Sequence, residues 1–229
     1  MTRLPSTVFC LAALLSSQMN TASDKTPIQD TKTQELIDRI KRGDDAQALL
    51  EAGRTGNLAF VPYLREKLRH NVYKHESLKW EAQMALVKLN QPDQLQAIYC
   101  QVATGNETQV SDTIDEFAYV GGWFSVRILK DVVSGELAAN AAIDQHAPPD
   151  AQRMKPIYLA SGTLAALIPD GAHQIESQKS LSLFSSESFS FWTDYIQTHE
   201  DELKKLQPTG EGVDFSPNAC KDGKPRKKH

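Results

Sequence analysis

An apolar pattern recurs in one register along this chain, and it limits the available folds more than any single motif does. The stretches Leu49–Leu64, Ala85–Ile98 and Phe117–Leu129 align when Gly56, Asn90 and Gly121 are superposed, at separations of 34 and 31 residues. The same register carries Thr55 onto Leu89 and Val120, Val61 onto Leu95 and Val126, and Leu64 onto Ile98 and Leu129. In each unit one helix ends, a Gly or Asn stands at the break, and a second striped helix begins. Gly and Asn tolerate the left-handed backbone that closes a helix. Asn57 is placed to cap the helix that follows. Pro62 falls in that helix's first turn, where a missing N–H costs least.

The flanking segments carry helical spacing. Val61, Leu64 and Leu68 share a face, as do Leu78, Ala82, Ala85 and Leu89. Val110, Ile114 and Phe117 form a third stripe, and Val126, Leu129 and Val133 a fourth. No such pair buries its face alone, so neighbours must stack. The expected fold is all-α, an α-α superhelix. The turn resembles that of HEAT repeats, in which an apolar residue, Gly and Asp precede Val-Pro and a leucine. Gly56-Asn57 and Val61-Pro62-Tyr63-Leu64 carry the resemblance. Later units depart from it: Asn90-Gln91-Pro92 replaces the Gly-Asp pair, and Arg127 stands where Pro62 stood. The resemblance spans roughly residues 34–133, loosely extended to 170. It implies a HEAT-like solenoid with a concave face suited to peptides or proteins.

Around this repeat, the chain divides into a leader at 1–23, a repeat domain at 31–207 and a tail at 208–229. Arg3 followed by the apolar run Val8–Leu15 and small residues up to Ser23 reads as a secretory signal. Cys10 lies inside that apolar run behind the bulky Phe9, so it does not make a lipobox. Regularity breaks near 135–152, where His146-Ala147-Pro148-Pro149 reads as an insertion. A helix is expected over 152–168, ended by Pro169-Asp170-Gly171. Phe189, Trp192, Ile196, His199, Leu203 and Leu206 then recur at spacings of three and four, a terminal capping helix stopped by Pro208. The Gly- and Pro-punctuated tail is expected to be disordered.

A hydrophobic fraction of 40% is enough for a core, and a net charge of -4 offers no general attraction for nucleic acid. No segment is apolar for long enough to form a membrane span. Export makes a disulfide between Cys100 and Cys220 chemically possible; two free thiols are the other reading.

Motifs for chemistry are sparse. His70 and His75 are five apart, the wrong spacing for two ligands on one helical face. His199 belongs to an apolar stripe. Gly121-Gly122 is not a phosphate loop, and there is no Gly-x-Ser-x-Gly elbow. No catalytic residue, cofactor or metal is expected. The candidate protein-binding residues are Arg65, Arg69, His70 and Lys74 of a basic patch, with Trp80 and Trp123 as aromatic anchors. The expected function is an extracytoplasmic scaffold for a protein or peptide partner, in the periplasm or outside the cell. Two alternatives stand beside it. One is an enzyme or enzyme accessory, similar to lyase-type HEAT proteins, with a site near 138–183. The other is a structural envelope-associated factor.

Overall fold

The computed structural model describes residues 31–42, 45–69, 77–137, 155–178, 182–183, 185–216 and 218–220. Every regular element among them is a helix: α1 (Thr31–Arg42), α2 (Ala46–Arg54), a 3-10 turn (Leu58–Phe60), α3 (Val61–Arg69), α4 (Ser77–Lys88), α5 (Pro92–Thr104), α6 (Glu107–Val120), α7 (Gly122–Val133), α8 (Pro156–Leu167), α9 (Pro169–Ser177), α10 (Ser186–Thr198) and α11 (Glu200–Leu203). None is long and apolar enough to cross a membrane. The leader, the basic loop and the expected insertion beyond Leu137 lie outside the described residues.

The three breaks set in register by the sequence all adopt the left-handed backbone. Gly56, Asn90 and Gly121 have φ of 68°, 56° and 64°. They separate α2 from α3, α4 from α5 and α6 from α7. Some helix starts are capped by short polar side chains. Asp45 Oδ1 accepts from the Ala48 N–H at the head of α2, and Asn57 accepts from the Ala59 N–H. Asn106 and Gln109 form a reciprocal capping box on α6. Lys88 reaches across to donate to the Val120 carbonyl at the end of α6, 2.8 Å away.

First helices of successive pairs pack in series, α2 on α4, α4 on α6 and α6 on α8. Two apolar clusters result. The first joins α1–α4 through Leu36, Ile37, Ile40, Leu49, Phe60, Leu64, Leu86 and their neighbours. The second runs from α4 to α11 and is rich in aromatic side chains, including Tyr99, Phe117, Phe124 and Trp192. Helix α4 is apolar on both sides: Ala82, Ala85 and Leu86 enter the first cluster, Met84 and Val87 the second.

The C-terminal part differs from expectation in three places. The helix over 156–167 ends just before Pro169, as expected, but Pro169 at once opens a further helix, α9, because a proline at a helix's first position leaves no bond unmade. The stripe on α10 and α11 is buried through Phe189, Trp192, Ile196 and Leu203, and Trp192 donates to Ser161 Oγ. Leu206, the stripe's last member, is 44% exposed because α11 ends at Leu203.

The third difference is the tail. Residues 206–216 and 218–220, most of which the composition marks for disorder, form an ordered strap. The first N–H groups of α7 have no side-chain cap; Trp123 and Phe124 donate instead to the carbonyls of Leu206 and Pro208, each 3.0 Å away. Gly122 makes this approach possible, since a Cβ there would collide with the Gln207–Pro208 backbone. Farther on, Gln96 Nε2 donates to the Asp214 carbonyl at 3.0 Å, and the Asp214 N–H donates to Gln96 Oε1 at 2.7 Å. The Tyr99 hydroxyl donates to the Phe215 carbonyl at 2.8 Å. A Cys100–Cys220 disulfide fastens the end. Of the two readings left open for these cysteines, the staple is the one found.

Candidate functional site

The apolar register noted in the sequence pairs positions on α5 with positions on α7. Position for position, Gln96, Tyr99 and Cys100 on α5 correspond to Arg127, Lys130 and Asp131 on α7, each 31 residues later. On α5 this face is filled by the strap. On α7 it opens into a cleft of about 500 Å³, closed on the far side by α10 and α11.

The floor is apolar, made by Trp123, Ile196 and the strap's Phe215. Arg127 lies with its guanidinium 3.8 Å from the centre of the Phe215 ring. The ring holds the planar cation flat and leaves its N–H edge available. Among the described residues, that stack is the contact recorded for Arg127; no hydrogen bond or ion pair engages its donors. The walls carry both signs of charge. Lys204 pairs with Glu200 at 2.8 Å, and this holds the Glu200 carboxyl below its ordinary range. Lys130 pairs more loosely with Asp131, at 3.4 Å. Burial pushes the Asp131 carboxyl above its ordinary range, with Lys130 pulling the other way. Glu136, Thr193 and Gln197 complete the rim.

Such a cleft offers an apolar seat, one oriented guanidinium with free donors, and a rim of paired charges that can exchange partners. Those are the elements of recognition. Among the described residues, no cluster of three or more His, Cys, Asp and Glu side chains could hold a metal ion.

The candidates named from the sequence are not gathered at one place. Trp123 lines the cleft while being only 8% exposed. Trp80 is partly buried against the second cluster. Arg65 is engaged within the fold, with both terminal nitrogens 2.7 Å from the two oxygens of Asp93 at the start of α5. Arg69 is exposed at the end of α3, and His70 and Lys74 lie outside the described residues.

Sequence reasoning missed Arg127, Lys130, Asp131, Glu200, Lys204 and Phe215. One signal was present. The register position that holds Pro62 in the first unit carries Gln96 in the second and Arg127 in the third. The chain matches no protein-family model, no curated protein and no solved structure.

Proposed function

We propose that this is an exported, HEAT-like helical-repeat protein that binds an extended peptide segment of a partner protein in the α7 cleft. One observation carries the reading. The face of α5 that is equivalent to the cleft already holds a polypeptide segment, the chain's own strap, through side-chain hydrogen bonds to its main chain and an aromatic contact. A helix-pair stack repeats its surface from unit to unit, so the next unit offers the same kind of groove with its ligand missing. The disulfide supports export, since such bonds persist in oxidising compartments.

The test uses the oxidised mature chain on an array of random peptides, with binding sites mapped by amide chemical shifts. Bound peptides should perturb Trp123, Arg127, Thr193 and Gln197. Arg127→Ala should weaken them about tenfold or more, as expected for a central anchor. Peptides that bind no better than millimolar, or that bind elsewhere and ignore Arg127→Ala, would refute the reading. Mass spectrometry of protein from its native source should find an N-terminus between about residues 17 and 26; an intact Met1 on soluble cytoplasmic protein would refute export.

A further inference from the structure

The strap is fastened in two unlike ways. Its near part, 206–210, is built into α7 as that helix's N-terminal cap. Its far part, 213–220, rests on α5 through Gln96, Tyr99, the Phe215 ring and the disulfide. Between the two stand Gly210 and Gly212, with φ of 77° and 83°. Glycine crosses between backbone regions at little steric cost, so the far part can swing while the near part stays.

What the far part occupies is suited to exchange. Gln96 bonds both the N–H and the carbonyl of Asp214, which reads main chain, while the Asp214 carboxylate accepts from the Ser216 N–H and shapes the strap itself. The largest side chain the groove takes is that of Phe215, with Val213, Ala219 and Cys220 also packed against the core. The Phe215 ring sits 5.1 Å from that of Tyr99 and 6.2 Å from that of Phe124, and under Arg127. The groove thus takes an extended backbone with one aromatic residue. Any peptide with those properties competes on equal chemical terms, except that the strap is covalently tethered at its end.

We propose that the Cys100–Cys220 disulfide is a redox gate on this α5 groove: its reduction frees the strap's far part to pivot at Gly210–Gly212, and the vacated groove takes an extended, aromatic-bearing peptide of a partner. Cys100 keeps part of its surface in solvent, whereas Cys220 is 4% exposed. A dithiol reductant therefore attacks Cys100 Sγ. The S–S bond breaks and Cys220 departs as a thiolate that takes up a proton. The reductant's second thiol then resolves the mixed disulfide, leaving the Cys100 thiol and an oxidised reductant. The protein gains two electrons and two protons. Opening also carries Phe215 out of the floor of the α7 cleft and away from Arg127, so reduction remodels the site proposed above. The gate goes beyond that site, and its readout is the difference between oxidised and reduced protein, which the cleft assay on oxidised chain does not measure.

The experiment uses the full mature chain in three forms: oxidised, reduced with dithiothreitol, and Cys100→Ser/Cys220→Ser. The probe is a fluorescent peptide with the sequence of residues 209–220, its cysteine replaced by serine. Reduced protein and the double variant should bind it at least tenfold more tightly than oxidised protein. Gln96→Ala in the double variant, or loss of the peptide's phenylalanine, should remove most of that gain. Hydrogen exchange at 213–220 should rise on reduction while α7 stays protected. The proposal is overturned by equal peptide binding in all three forms, by indifference to Gln96→Ala, or by strap protection that survives reduction. A double variant that loses its helices on circular dichroism also overturns it, because the bond would then hold the fold and not a gate. Failure of Arg127→Ala in the cleft assay leaves these outcomes unaffected.

Discussion

The two halves of the molecule reach order by different means. The cluster of α1–α4 is nearly all aliphatic, with Phe60 as its one fully buried aromatic ring, and its helices are joined by contacts between near neighbours. Its charged groups close short loops: Arg39 binds Asp45 and Glu51, and Arg65 binds Asp93. The second half packs rings against rings, buries Trp192 completely, and ties residues 90–100 to residues 210–220 by hydrogen bonds and a disulfide. The first half is ordered by local helical period and aliphatic packing. The second adds a buried aromatic stripe on α10 and α11 and a strap across α5 and the start of α7.

The largest effect should come from breaking the cap. Trp192 is 0% exposed and its indole N–H is bonded to Ser161 Oγ. Trp192→Ala should cost about 3–5 kcal/mol in denaturant unfolding, the usual range for a buried large aromatic residue. Hydrogen exchange should accelerate first in α8–α10, with α2 and α3 following only through α4. An unshifted melting temperature with intact helicity would mean that the stripe is an interface and not a cap.

How much of this was legible follows the same division. The breaks at Gly56, Asn90 and Gly121 could be read because one residue type at a helix end has one backbone consequence. The buried faces of α4–α7 and the stripe through Trp192 could be read because helical period is a local property. The strap could not. Its partners lie more than 80 and up to 120 residues away in the chain, and its own composition lacks apolar density. Its order comes from Gln96, Tyr99 and the α7 N-terminus. Nor could the cleft be read, since it needs α7, α10, α11 and the strap together. Arg65 illustrates the converse: in sequence it belongs to a basic patch, and in the fold it is half of an ion pair.

That pair gives a smaller and sharper test of the first half. Arg65 and Asp93 side chains are 33% and 45% exposed, so the bidentate contact is screened by solvent. Arg65→Ala should lower stability by no more than about 1 kcal/mol, and Asp93 should then titrate closer to its ordinary value. A loss of several kcal/mol would show that α3 and α5 depend on this link and not on aliphatic packing. Unchanged stability with weakened partner binding would return Arg65 to the role its basic neighbours suggest.

The smallest expected effect separates two sets of carboxyls by sign. The Arg65 guanidinium holds Asp93 below the ordinary aspartate value of 3.8, and Arg39 does the same to Asp45. A carboxyl whose folded value is depressed contributes stability above its unfolded value, and that contribution disappears as pH falls through the folded value. Asp131 in the cleft behaves oppositely, because burial raises it above 3.8, as burial beside Asp112 raises Asp115. A raised carboxyl costs stability at neutral pH, and the cost is relieved as pH falls through the folded value towards 3.8. Acidification should therefore first leave α6 and α7 unharmed or slightly firmer, then loosen the α1–α3 side once pH passes below about 4. Carboxyl-carbon titration by nuclear magnetic resonance reads the sites directly: Asp131 should have its midpoint above 3.8 and Asp93 below it. Asp131→Asn should flatten the early part of the profile and Asp93→Asn the late part. If Asp131 instead titrates below 3.8, its ion pair with Lys130 outweighs burial, the cleft wall is better solvated than its geometry implies, and the contrast in sign between the two sets is lost.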